Sequence, residues 1–72
     1  MENFQYIKTD AADNIHANID GEKYIFATSE FYGGKSIYGV CFPNETSFTF
    51  INRSKKAKKI YEKHKADIHL FL

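Results

Sequence analysis

The sequence predicts an α+β fold: an antiparallel β-meander of three to four strands, five if the N-terminal segment joins, with one C-terminal amphipathic helix packed on one face. Three observations predict it. Apolar and polar residues alternate with a period of two through much of the first fifty residues. Asp20-Gly21 and Gly33-Gly34 punctuate that alternation where tight turns belong. After Asn52 the apolar period lengthens to about 3.6, that of a helix.

Each element follows from its residues. Phe4–Ile7 reads as an added edge strand, and residues 10–14 as a loop. Ile15, Ala17 and Ile19 alternate with His16 and Asn18, the pattern of a half-buried strand. Asp-Gly then supplies the positive φ angles of a type I′ hairpin turn. The next strand runs from about Lys23 to Ser29. A two-residue loop sets Ala17 opposite Tyr24 and Ile15 opposite Phe26, so the apolar residues share a face. Ser36–Phe42 is a third strand, stopped by Pro43, which cannot donate to a ladder. Ser47–Ile51, with Phe48 and Phe50 alternating against Ser47 and Thr49, is a fourth. Ser54 suits a helix N-cap, and Ala57, Ile60, Tyr61, His64 and Ile68 then form one stripe on a helix surface.

Seventy-two residues suffice for a single domain, 1–72, with a core built from large side chains: seven Phe and five Tyr make the chain 17% aromatic. Hydrophobic content of 43% with 26% charged residues is that of a folded globular chain rather than a disordered one. The lone Cys41 has no intramolecular disulfide partner, and the first ten residues lack a basic start and an apolar run. Both point to the cytoplasm. No stretch approaches the roughly 20 apolar residues of a membrane span, so no membrane partner is expected.

A net charge of +1 conceals an asymmetry. Residues 1–52 hold three lysines against seven acids, net −4, whereas residues 53–72 hold seven cations against two acids, net +5. Arg53, Lys55, Lys56, Lys58 and Lys59 crowd the start of the expected helix. That end already carries outward N–H groups and the positive end of the dipole, so cations there cost a few tenths of a kcal/mol each. They suit an anion or an acidic partner surface. The plainer alternative is a solvated lysine-rich face.

A second candidate surface is aromatic. One helix covers only one face of a sheet, so some rings must lie elsewhere, and Tyr24, Phe31, Tyr32 and Tyr38 are the candidates for an aromatic interface. No RNP-like Lys/Arg-Gly-Phe run accompanies them, and the strand region is net acidic, which disfavours a stacked nucleic acid. For any single ring, a place in the core is the simpler expectation.

Catalytic and metal chemistry find little to stand on. Cys41, His16, His64 and His69 lack the spacing of a zinc site or of a cysteine–histidine nucleophile. Gly33-Gly34-Lys35 lacks the rest of a phosphate loop, and Asp10, Asp13 and Asp20 do not complete a calcium loop. No catalytic residues, metal or cofactor are therefore assigned.

The expectation is a small non-enzymatic protein-binding module that docks on a larger protein. In general character the chain resembles the accessory proteins of phages and mobile elements, anti-CRISPR and other anti-defence inhibitors among them. That likeness rests on size and composition, and it implies inhibition of a host protein. The alternative is a nucleic-acid-binding protein using the basic helix. A third expectation is a homodimer formed through the open sheet edge and Leu70–Leu72.

Overall fold

The alternating residues of the first fifty positions assemble into one antiparallel sheet. The computed structural model describes residues 3–31 and 33–72. Its strands are β1 (Phe4–Thr9), β2 (Ile15–Ile19), β3 (Glu22–Phe31), β4 (Gly34–Cys41) and β5 (Thr49–Phe50), in spatial order β1-β2-β3-β4-β5. All neighbours run antiparallel, so the fold is a five-stranded meander with both edges open. The β2–β3 register sets Ile15 opposite Phe26 and Ala17 opposite Tyr24, as the two-residue turn requires. Asp20 (φ 53°) and Gly21 (φ 85°) both lie in the left-handed region, the mark of a type I′ turn.

Four boundaries differ from the sequence reading. The N-terminal strand continues past Ile7 to Thr9, up to the loop that Asp10 closes. β4 begins at Gly34, opposite Phe31, so the turn is shifted back by one residue and Gly33 (φ 83°) carries its positive φ. The fourth predicted strand shrinks to Thr49–Phe50, and Ile51–Arg53 coils into a 3₁₀ turn that buries Ile51. The single predicted helix is two: α1 (Lys55–Lys63) and α2 (Lys65–His69). His64 breaks it at φ −113°, ψ 16°, its N–H shared between the C=O groups of Ile60 and Tyr61. The His64 ring is buried and stacks on Phe4 at 5.8 Å. A helix this short depends on packing, and here packing overrides continuity.

The core lies between the helices and one sheet face. Ile15, Ala17 and Ile19 of β2 meet Phe26, Ile37 and Val40, and Ala57 and Ile68 close over them from the helices. Ile15, Phe26, Val40 and Ile68 are fully buried. Burying each such side chain contributes roughly 1.5–3 kcal/mol, which is how a chain this small stays folded. Ser54 caps α1 as its type suggests, its Oγ accepting the Ala57 N–H at 3.2 Å. Among the described residues, no helix is long and apolar enough to cross a membrane.

Candidate functional site

The basic candidates sit at the start of α1, and the exposed aromatic ones on the second sheet face, away from the helices. Two bulges shape it. In the β3–β4 ladder Ala27 pairs with Gly39 and Thr28 with Ile37, which leaves Tyr38 as an inserted residue in β4. A bulge re-aims its side chain, and the Tyr38 ring comes to lie 6.1 Å from that of Phe50. Phe48 packs close over Gly39: a Cβ built there would meet Phe48 Cβ at 3.4 Å and Ala27 Cβ at 3.8 Å, ordinary contact distances.

Tyr38, Phe48 and Phe50 thereby form an aromatic corner at the β4–β5 edge, each ring-bearing residue between 37% and 48% exposed. The Arg53 guanidinium lies over the Phe50 ring, 5.7 Å from its centroid. Arg53 also lines a shallow depression of about 340 Å³ with Ile51, Ser54, Lys55 and Lys58. It joins the rings to the basic start of α1. The first turn of α1 holds no acid to neutralise these cations. Ser54 occupies the Ala57 and Lys58 N–H groups, leaving those of Lys55 and Lys56 directed outward.

The five basic residues have different roles. Lys56 is turned onto the Phe42 ring, its Nζ 4.8 Å from the centroid, and so helps hold α1 to the sheet. Arg53, Lys55 and Lys58 surround the depression, while Lys59 is exposed on the helix beyond it. The aromatic candidates scatter more. Tyr24 is half-buried on the core face, stacked on Phe26 at 6.4 Å and edge-on to Phe42 at 5.9 Å. Tyr38 is exposed in the corner. Tyr32 and the Phe31 side chain lie outside the described residues. Phe48 and Phe50, read from the sequence only as strand residues, complete the surface.

Farther along the same face, a groove of about 390 Å³ runs over Ile7, Lys8, His16, Ile25, Cys41 and Glu45. Cys41 is buried and reduced, and its Sγ–H donates to the Glu45 C=O at 3.2 Å. Burial, then the nearby Glu45 charge, push its thiol pKa up, the opposite of an activated nucleophile. His16 pairs with Ile25, and Ile25 with Cys41. The backbones of His16 and Cys41 are therefore two strand spacings apart, with Ile25 between them. His16 is instead held by Asp10, with Nε2 2.8 Å from Oδ2, and His69 Nε2 lies 2.7 Å from the Tyr61 hydroxyl. Burial, and secondarily Glu62, raise the Tyr61 pKa. Among the described residues no cluster of His, Cys, Asp and Glu is placed to hold a metal ion. No protein-family model, curated protein or solved structure matches this chain.

Proposed function

We propose that this chain is a non-catalytic, cytoplasmic protein-binding module that docks on an acidic surface of a larger protein, in the manner of a small inhibitor or accessory protein of a phage or mobile element. One observation carries the reading: Tyr38, Phe48 and Phe50 stand exposed side by side, and Arg53 links them to Lys55 and Lys58. Exposed aromatics with an adjoining Arg have the composition of interface hot spots. The cations add complementarity to an acidic partner, which speeds encounter more than it deepens affinity.

A nucleic acid is the weaker occupant. Single-strand binders track phosphates along an extended basic groove. Here the cations follow one short helical segment rather than lining a groove, and one of them, Lys56, is engaged with Phe42.

The test places a photo-crosslinking phenylalanine analogue at Phe50, and separately at Glu22 on the distant β2–β3 turn, in lysate of the native host. One protein species captured from position 50, absent from position 22 and lost in Tyr38→Ala, is the expected result. Nuclease-sensitive adducts would overturn it in favour of nucleic acid. So would oligonucleotide affinity that falls steeply with salt and whose log–log slope drops by up to about two in Lys55→Gln/Lys58→Gln.

A further inference from the structure

The exposed large apolar side chains of the described residues fall into two groups. Tyr38, Phe48 and Phe50 form the corner described above. Tyr6, Ile7, Leu70 and Phe71, between 38% and 76% exposed, gather at the opposite sheet edge, where the Tyr6 and Phe71 rings stack at 4.0 Å. That edge is β1, whose residues beyond Phe4 are all exposed.

The phase of the β1–β2 ladder tells which backbone groups face outward. Asp20 N–H donates to Asn3 C=O at 3.1 Å and Asn3 N–H to the Asp20 carboxylate at 2.9 Å, so both backbone groups of Asn3 face β2. Inward-facing residues alternate along an antiparallel ladder. Gln5, opposite Asn18, therefore bonds inward, while Phe4 and Tyr6, opposite Ile19 and Ala17, turn N–H and C=O away from β2. The bulge between Tyr6 and Lys8 ends this regular stretch.

We propose that β1 is a dimerisation strand: two copies pair antiparallel about a two-fold axis at Gln5. Phe4 stands opposite Tyr6 of the partner subunit, and Tyr6 opposite Phe4 of the partner subunit. Two outward-facing residues placed symmetrically about a third are self-complementary. In this register they form four backbone hydrogen bonds using described residues alone. Centring the axis on Tyr6 instead would set Phe4 opposite Lys8 of the partner subunit, across the bulge, in place of an aromatic ring.

The side chains agree. Phe4 and Tyr6 both lie on the helix side of the sheet, since they pair with core residues Ile19 and Ala17. Each Phe4–Tyr6 pair is thus an aromatic cross-strand pair beside Phe71, the favourable kind. Leu70 adjoins Phe71 in the last turn, so the apolar rim on the helix side gains cover from its symmetry mate, while Ile7 lines the groove on the other face. Like charges stay apart: the two Lys8 residues are offset by six residues along the strands, about 20 Å. The pairing involves three residues of each β1, a small contact, so the dimer is a weak and reversible one.

This inference is separate from the docking proposal. β5 lies four strand spacings from β1, about 19 Å, so the aromatic corners stay open at the two outer edges of a ten-stranded sheet. Sedimentation equilibrium from about 10 μM to 1 mM should show a monomer–dimer equilibrium, the range expected of so small an interface. Leu70→Lys should weaken it at least tenfold without changing the circular dichroism. Under mild oxidation Gln5→Cys should cross-link to itself, because residues on the axis in a non-hydrogen-bonded pair approach to disulfide distance. Lys8→Cys should not. A strict monomer at the highest concentration, association unchanged by Leu70→Lys, or cross-linking at position 8 equal to that at position 5 would overturn the proposal.

Discussion

Asp10 grips His16 across the β1–β2 hairpin, Oδ2 to Nε2 at 2.8 Å, while its other carboxylate oxygen accepts the N–H groups of Ala12 (2.9 Å) and Asn14 (3.0 Å). One side chain thus closes a loop in which Asp13 adopts a left-handed conformation at φ 65°. The His16 hydrogen bond, followed by that from Asn14 N–H, lowers the Asp10 pKa from 3.8 to about 2. A carboxyl whose folded pKa is depressed stabilises the fold fully above its unfolded pKa and loses that effect as pH falls through the folded value. The unfolding temperature should therefore drop between pH 4 and pH 2. Asp10→Asn should flatten that part of the profile and approach the parent at its acid end. Equal slopes in parent and variant would show that the acid sensitivity lies elsewhere.

The β2–β3 turn allows a backbone effect to be isolated. A Cβ built on Gly21 meets nothing within 4 Å, so a larger residue there encounters no clash with the rest of the protein. The φ of 85° is nonetheless costly for a β-branched residue. Gly21→Val should destabilise by more than about 1 kcal/mol in thermal or denaturant unfolding. A neutral result would mean the turn relaxes into another type.

How much of this was legible in the sequence depended on whether the signal was local. The Asp20-Gly21 turn and the Ile15–Ile19 alternation dictated the β2–β3 register, because a two-residue loop leaves one pairing and a shift by one residue turns every side chain over. The cap at Ser54 and the stripe from Ala57 to Ile68 were local too. The break at His64 was not: the His64 ring is buried against Phe4, sixty residues away in the chain, and no local pattern marks that contact.

The candidate surface was half legible for the same reason. Arg53, Lys55 and Lys58 stand together because they share one turn of chain. The aromatic corner depends on the Tyr38 bulge, which leaves no periodic mark. A run reading Ile-Tyr-Gly-Val does not reveal which of its residues is the inserted one. Phe48 and Phe50 alternate as a strand should, but strand order and helix placement decide which face they occupy. Tyr24, a candidate for the aromatic interface, is half-buried against the core, on the face that its pairing with Ala17 dictates.

Cys41 gives a chemical test of the sheet. Its thiol is buried, its pKa is raised, and its proton is engaged by the Glu45 carbonyl. The thiolate is the reactive species, so a disulfide reagent at pH 8 should modify native protein far more slowly than unfolded protein. The slow rate should rise with denaturant in parallel with unfolding. Fast, stoichiometric labelling of folded protein would place the thiol at an open surface.

The lysines at the start of α1 allow surface roles to be separated from structural ones by the sign of a stability change. Removing a cation from the positive end of a helix relieves an unfavourable interaction of about 0.3–1 kcal/mol. Lys55 and Lys58 border open solvent around the shallow depression. Lys55→Gln should therefore be neutral or slightly stabilising, with Lys58→Gln close to neutral because the dipole effect fades within the first turn. Lys56 differs, since its ammonium lies over the Phe42 ring at 4.8 Å. Losing a cation–π contact of roughly 0.5–1 kcal/mol offsets the relief from the dipole. Lys56→Gln should come out near zero, and a Phe42→Leu background should shift it toward stabilisation by unmasking the dipole effect. The double-mutant cycle between Lys56 and Phe42, measured by chemical denaturation, reads the coupling directly. A coupling of zero would return Lys56 to the docking surface beside Lys55 and Lys58. A clear loss of stability in Lys55→Gln would make that residue structural and remove it from that surface.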